Sequence, residues 1–292
     1  MEDYQQVGGH RVKVIEEGHG PPLIFFYDSW HTALGAGPVT EHLSRRFKVI
    51  AVDPPGFGSS PLSKDLHLTL SDYATFVAKL VEHTGPGNVT LVLTGIGEAL
   101  ALAAFQQEES MAARVGRVVL LNGFLYGAHA GFRPFKATPL FSRWDLPMNR
   151  MVHRRKILQL YGEPSAMDET TAERGWSSFP GGLYSTQFKL ANELAQSETT
   201  LAAGRRALAD SGSPIMLLWG EDDPSGGRAV AERAEQEFPD AEIYLLPHVG
   251  HFPHLEAVEV VAEAISGFAA RGARVTTSAP KPPPEEKPAG ES

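Results

Sequence analysis

The chain has 292 residues, of which 42% are hydrophobic and 21% are charged, and its formal net charge is -9. These values are ordinary for a soluble globular protein of one large or two small domains. The acidic excess repels phosphate backbones and anionic lipids, which disfavours nucleic acid and a membrane surface as partners. The absence of cysteine excludes disulfides, thiolate metal sites and a cysteine nucleophile. Neither a signal-peptide pattern nor a long apolar span occurs, so the expected location is the cytoplasm.

Short apolar runs alternate with helical patterns along most of the chain, which predicts an α/β fold with a mostly parallel central sheet and helices on both faces. The predicted strands are 12–16, 23–27, 47–53, 89–93, 117–121, 215–219 and 242–246. The glycines and prolines at 18–22 predict a hairpin or a short turn between the first two strands. Helices are predicted over 71–83, with Ser71 as the N-cap, and from about 98 to 107.

The stretch 124–212 breaks this alternation and is rich in aromatic residues, Gly and Pro. We interpret it as a helical cap insertion over the strand ends, where α/β folds bind their ligands. It divides the core into 1–123 and 213–271, and its aromatic residues indicate a small, partly aromatic substrate. The segment 272–292 is rich in Pro, Lys and Glu, which predicts a disordered tail.

Five patterns occur in a characteristic order and spacing. They are a strand at 21–26, a glycine-rich turn at 53–60, a strand–turn–helix at 91–102, an acidic strand end at 217–224 and a histidine loop at 250–256. With these patterns the chain resembles the α/β-hydrolase superfamily over about residues 5–270. The resemblance implies the α/β-hydrolase fold and a catalytic triad whose nucleophile lies on a strained turn between strand and helix.

The strand–turn–helix departs from the family at the nucleophile itself. The resemblance places the nucleophile two residues before Gly97, where this chain has Gly95 between Thr94 and Ile96. A glycine offers neither a hydroxyl nor a carboxylate at this position. Loss of the serine from a triad costs about 10⁶ in turnover, so a conventional serine hydrolase is not expected.

The oxyanion loop also departs from the family, because Tyr27 and Asp28 replace the usual His-Gly pair. An ionised Asp28 near the reacting carbonyl would oppose a developing oxyanion. Loops rarely gather polar and aromatic residues for packing alone. We therefore expect an oxyanion or pocket role for five residues, Tyr27, Asp28, Ser29, Trp30 and His31.

The other two triad members are retained. The resemblance places the acid at Asp223, with Asp222 as an alternative, and the histidine at His251. A carboxylate that orients an imidazole supports a general base near neutral pH. The chain thus keeps the base and its orienting acid and lacks the nucleophile that they usually activate.

Several other residues near these motifs are assigned roles on less specific patterns. The backbone N–H of Ile96 is a donor for a developing oxyanion or enolate. Glu98 lies in the first turn of the helix, where it either pairs with the helix dipole or acts as an acid. Asp53 is expected to hold the turn that follows it. His248 and His254 are expected to be surface or hydrogen-bonded residues.

Three interpretations of Gly95 stay open. The first is a nucleophile-free enzyme in which His251, oriented by Asp223, takes a proton from a small organic substrate or from water. The resemblance implies lyase, cyclase, cofactor-free oxygenase or water-activating hydrolase chemistry. The aromatic residues of the predicted cap suggest secondary metabolism as the setting. The second is a non-catalytic binding protein. The third is a serine-type hydrolase altered at the elbow, naturally or by laboratory substitution, for which Ser29 or Thr94 would be the substitute nucleophile.

The expected partner is a small-molecule substrate, with a homodimer left open. Neither a metal nor an organic cofactor is implied, since the sequence has no ligand cluster and no dinucleotide fingerprint.

Overall fold

The structure is a computed structural model, and it describes residues 4–26, 37–85, 88–126, 150–167 and 196–271 together with a few positions between 168 and 195. Eight strands form a single sheet in the order β1-β2-β4-β3-β5-β6-β7-β8. The strands β1 to β8 span, in turn, Tyr4–Val7, His10–Glu17, Pro22–Phe26, Lys48–Val52, Val89–Thr94, Val115–Leu121, Ile215–Gly220 and Glu242–Leu246.

The described helices cover both faces of this sheet. Helices α1 to α9 span, in turn, Gly37–Ser44, Leu70–His83, Ile96–Gln107, Ser110–Arg114, Arg150–Leu158, Glu198–Asp210, Gly227–Glu237, Pro253–Glu256 and Val258–Ala270. Alternate strand residues point into two separate apolar layers, one beneath α2, α3 and α6 and the other beneath α1 and α9. The strands from β3 to β8 pair in parallel, which confirms the predicted mostly parallel sheet with helices on both faces.

The antiparallel edge of the sheet differs from the prediction. Strand β1 was not predicted. Of the two alternatives for 18–22, a hairpin or a short turn, the hairpin is wrong, because β2 pairs with β4 rather than with β3. A Cβ at Gly18 would overlap the carbonyl oxygens of Ser44 and Phe47, and its φ of +77° favours glycine. The segment that joins β2 to β3 therefore packs against the turn before β4. It crosses β4 instead of turning back to pair β3 with β2.

The predicted N-cap of α2 is also wrong. Helix α2 begins at Leu70, and the Thr69 hydroxyl accepts a 3.2 Å hydrogen bond from the backbone N–H of Asp72. Thr69 has the extended backbone of an N-cap residue, with φ -98° and ψ 157°. Ser71 lies inside the first turn, and its hydroxyl accepts a hydrogen bond from the Gln107 amide instead.

The predicted insertion is described only in part. Its last helix, α6, packs tightly on α3, because a Cβ at Gly204 would overlap the carbonyl oxygen of Leu102. Residues 127–149 and most of 168–195 lie outside the described residues, as does the predicted tail at 272–292, so the insertion boundaries stay a prediction. Within the described ranges, none of the helices has the length and apolar character needed to cross a bilayer.

The capping assignment predicts unequal effects of two neighbouring substitutions. Thr69→Ala removes the acceptor for the Asp72 N–H and is expected to lower the free energy of unfolding by about 1 kcal/mol. Ser71→Ala removes only an exposed hydrogen bond and is expected to cost less than about 0.5 kcal/mol. Urea unfolding curves with equal m-values measure both, and equal losses would contradict Thr69 as the cap.

Candidate active site

A sharp turn joins the end of β5 to the start of α3. Gly95 occupies it with φ 49° and ψ -123°, a backbone conformation that is strained for residues with a side chain. Close packing confines the turn, since a Cβ at Gly97 would stand 2.7 Å from the Cβ of Phe26 on β3. Gly95 therefore occupies the strand-to-helix turn at which the family resemblance places the nucleophile, and as a glycine it adopts this conformation without steric cost.

The backbone around Gly95 is fixed by its neighbours. Its carbonyl oxygen accepts hydrogen bonds from the N–H groups of Phe124 (3.2 Å) and Glu98 (3.3 Å). The buried Thr94 hydroxyl donates to the carbonyl oxygen of Phe26 at 3.2 Å. Ile96 is the first residue of α3, so its N–H belongs to the first turn, where helices have no internal acceptors.

His251 and Asp223 meet at the carboxyl end of the sheet. Asp223 follows β7 and His251 follows β8, and both side chains are buried. The imidazole Nδ1 lies 3.1 Å from each carboxylate oxygen of Asp223. Because an ionised carboxylate only accepts hydrogen bonds, Nδ1 carries the proton and a neutral imidazole has its lone pair on Nε2. This tautomer is the one that a general base requires.

Two groups that the sequence analysis missed hold the Asp223 carboxylate. The Ser225 N–H donates to Oδ1 and the Asn122 amide donates to Oδ2, both at 2.8 Å. Asn122 also donates to the carbonyl oxygen of Gly250 at 3.1 Å and accepts from the Gly220 N–H at 2.8 Å. Asn122 has a φ of 45°, which Asn tolerates better than most residues. The only signals in the sequence were Asn-Gly after a strand and a serine two residues after Asp223.

These contacts determine the ionisation of Asp223. Burial alone would raise the pKa of its carboxyl. The charge and hydrogen bond of His251, with the Ser225 N–H and the Asn122 amide, outweigh burial and bring the pKa of Asp223 below its usual range. Asp223 is therefore held as a carboxylate beside the imidazole.

The other acidic and histidine candidates lie apart from this pair. The Asp222 side chain is 52% exposed, and its carboxylate lies 4.0 Å from the exposed ring of His248. His254 is buried, with its ring edge-on to Phe25 and Phe252. Asp222 thus contacts a surface histidine, whereas Asp223 contacts His251.

Asp53 holds the turn that follows β4. Its carboxylate accepts the Ser59 N–H at 3.0 Å, and its backbone carbonyl accepts the Ser60 hydroxyl at 2.6 Å. A Cβ at Gly58 would overlap the same carboxylate, which shows how tightly the turn wraps around Asp53.

Glu98 is fully buried behind the elbow. Its carboxyl packs against Gly123, where a Cβ would overlap it, and neither oxygen has a hydrogen bond of good geometry to the described residues. Burial raises the pKa of Glu98 well above its usual range. Backbone groups of Gly123, Leu125 and Leu121 oppose this rise, and the charge of Asp223 adds to it. Glu98 and Asp223 are thus two carboxyls whose pKa values are shifted in opposite directions, so burial favours the protonated form of Glu98 and the contacts of Asp223 favour its ionised form.

The rest of the predicted site is not covered by the structure. The expected oxyanion and pocket residues Tyr27, Asp28, Ser29, Trp30 and His31 lie outside the described residues. Within the described part of the chain, His, Asp and Glu side chains form no group of three or more that could hold a metal ion.

The parallel sheet, the strained turn after β5, the acid after β7 and the histidine after β8 define a protein of the α/β-hydrolase fold. The model of the alpha/beta hydrolase family matches residues 18–264, and the chain belongs to this family.

Relatives in this family carry several activities. The chain is 24% identical to 2-(acetamidomethylene)succinate hydrolase of Mesorhizobium japonicum, over 90% of this chain and 92% of the relative. It is 23% identical to haloalkane dehalogenase 2 of Mycobacterium tuberculosis, over 87% of this chain and 90% of the relative. Among solved structures, the epoxide hydrolase CorEH superposes with a TM-score of 0.73 at 19% identity, covering 92% of this chain and 98% of the other. A meta-cleavage product hydrolase from Pseudomonas fluorescens superposes with a TM-score of 0.76 at 17% identity, covering 91% and 97%.

The buried Glu98 carboxyl predicts a pH-dependent stability difference. Above the ordinary glutamate pKa of 4.5 the unfolded chain releases this proton, while the folded chain retains it up to its higher pKa. Folding stability is therefore lost as pH rises through this window, by up to about 1.4 kcal/mol per pH unit. Glu98→Gln has no proton to release, so its stability relative to the unsubstituted protein is expected to increase with pH.

Urea unfolding of both proteins between about pH 5 and 8 measures this difference. Glu259→Gln, at an exposed position, is the matched control for replacing a glutamate by glutamine. A constant difference for Glu98→Gln across the range would show that Glu98 is ionised in the folded state.

Proposed function

We propose that the protein is an enzyme that works without a covalent intermediate, in which His251 is the general base and Asp223 orients it. The observation that carries this proposal is the buried His251–Asp223 pair, at 3.1 Å, on the same sheet edge as an elbow that has only glycine at the nucleophile position. A binding protein has no need for a buried carboxylate that fixes an imidazole tautomer. Maintaining that charge in the interior costs free energy, so its retention favours catalysis.

The chemistry follows from what the site supplies. The imidazole Nε2 can accept a proton, and the first N–H groups of α3, including that of Ile96, can stabilise negative charge. The position of Gly95 provides no atom to form an acyl-enzyme or alkyl-enzyme. The substrate is therefore attacked by a water that His251 deprotonates, or it loses an acidic C–H or O–H proton to His251 itself.

The comparisons favour the water reaction among these alternatives. The relatives named above are hydrolases or a dehalogenase. The match to 2-(acetamidomethylene)succinate hydrolase covers 90% of this chain and 92% of that relative. A glycine at the elbow leaves room for a water where a family member has its nucleophile. A cofactor-free lyase, cyclase or oxygenase would use the same base on a substrate proton.

A proton-transfer probe tests the base without knowledge of the natural substrate. The aromatic heterocycle 5-nitrobenzisoxazole opens to a coloured phenolate when a base removes its one acidic C–H proton. The unsubstituted protein is expected to accelerate this opening above background. General-base catalysis contributes about 10²–10⁴-fold, so His251→Ala is expected to lose most of the acceleration.

Two neighbouring aspartates provide matched variants for the same assay. Asp223→Asn removes the carboxylate that fixes the tautomer and is expected to lower the rate by about 10²-fold or more, whereas Asp222→Asn is expected to leave it unchanged. If His251→Ala retains the full rate, His251 is not the base and the proposal is wrong. If neither the unsubstituted protein nor any variant accelerates the ring opening, although titration shows that the probe binds, the site is that of a binding protein.

A further inference from the structure

Glu256 ties the histidine loop to the segment that follows α5. One carboxylate oxygen, Oε2, accepts the backbone N–H groups of Gly162 at 2.8 Å and Gly250 at 3.0 Å. The other, Oε1, accepts the N–H of Phe252 at 3.0 Å. Gly250 and Phe252 flank His251, so one carboxylate holds the backbone on both sides of the proposed base.

The backbone of His251 itself is held by the same segment. Its N–H donates to the carbonyl oxygen of Leu160 at 2.7 Å. Three consecutive N–H groups, from Gly250 to Phe252, are therefore satisfied by the Glu256 carboxylate and by Leu160. The carbonyl oxygen of Gly250 is held from the other side, by the Asn122 amide that also binds Asp223.

The two segments approach so closely that each needs a glycine. A Cβ at Gly162 would stand 2.7 Å from the carbonyl oxygen of His248 and 2.8 Å from the backbone nitrogen of Gly250. A Cβ at Gly250 would in turn overlap Leu160 and Gly162. Behind this contact lies a separate apolar cluster, formed by Ile157, Tyr161, Met167 and Phe252.

We propose that Glu256 is a positioning residue, which places His251 for proton transfer by fixing the histidine loop on residues 160–162. Asp223 sets the tautomer of the imidazole, and Glu256 sets where the imidazole stands. This inference rests on the proposed function, since it assigns a task to Glu256 only if His251 is the base.

The arrangement requires a carboxylate rather than an amide. Three N–H donors converge on two acceptor oxygens, and a glutamine would present its own NH₂ group to at least one of these donors. An unsatisfied buried donor is costly, so the loop would shift to find other partners. A displacement of about 1 Å at a reacting group is enough to lower a rate by about 10²-fold.

The test uses a reporter reaction in which the base is essential. Gly95→Ser supplies a hydroxyl at the elbow, which His251 is expected to activate toward a fluorophosphonate probe. Intact-mass spectra over time give the maximal labelling rate and the half-saturating probe concentration separately. In this background Glu256→Gln is expected to lower the maximal rate by about 10²-fold with an unchanged half-saturating concentration. Glu259→Gln, an exposed glutamate on the adjacent helix, is expected to change neither value.

The outcomes separate this inference from the proposed function. If Gly95→Ser is labelled equally with and without His251→Ala, the base assignment fails. If labelling needs His251 but Glu256→Gln retains the full maximal rate, Glu256 does not position the base and this inference alone is overturned.

Near-UV circular dichroism checks that each variant is folded. If Glu256→Gln does not fold, Glu256→Asp is the variant that tests the inference. It keeps the negative charge on a side chain that is one methylene shorter. Its maximal rate is expected to fall, and an unchanged rate overturns the inference.

Discussion

The hydrogen bond between Asp223 and His251 is the interaction on which the rest of the site depends. Both groups are buried, and a buried carboxylate costs several kcal/mol unless it is well paired. The Asn122 amide and the Ser225 N–H complete that pairing, and Glu256 and Leu160 hold the loop that brings the imidazole into place. The carboxyl ends of β6, β7 and β8 thus converge on a single imidazole.

Gly95 is the position at which this arrangement differs from a catalytic triad. A triad enzyme uses strain at the elbow to present its nucleophile, and a side chain there costs of order 1–3 kcal/mol. Glycine relieves the strain and supplies no side-chain nucleophile at this position, while the surrounding turn keeps a φ of 49° and the close contact of Gly97 with β3. Beside it, Glu98 is a carboxyl whose burial favours the protonated form. The site therefore combines an imidazole with two buried carboxyls whose pKa values are shifted in opposite directions.

The sequence predicted those strands and helices that a run or a periodic pattern of apolar residues marks. Apolar runs located seven of the eight strands that the structure describes, and motif order located Gly95 at the turn after β5, Asp223 after β7 and His251 after β8. It did not predict β1, which is only partly apolar, nor the pairing of β2 with β4, because strand order depends on where a connection crosses. Asn122 was missed because it contacts Asp223, which lies 101 positions away in the chain. Glu256 was missed because its link to Gly162 spans 94 positions, and no pattern marks its local bonds to Gly250 and Phe252. The N-cap of α2 was misplaced by two residues because Thr69 and Ser71 are both good capping residues.

The central claim is that the protein retains a working base and has no nucleophile. An intact-mass spectrum of the unsubstituted protein after incubation with a fluorophosphonate probe tests it most directly, with Gly95→Ser as the positive control. The account predicts an unchanged mass for the unsubstituted protein and a single adduct for Gly95→Ser. An adduct on the unsubstituted protein that disappears in His251→Ala would show that another hydroxyl serves as the nucleophile, and would contradict the account.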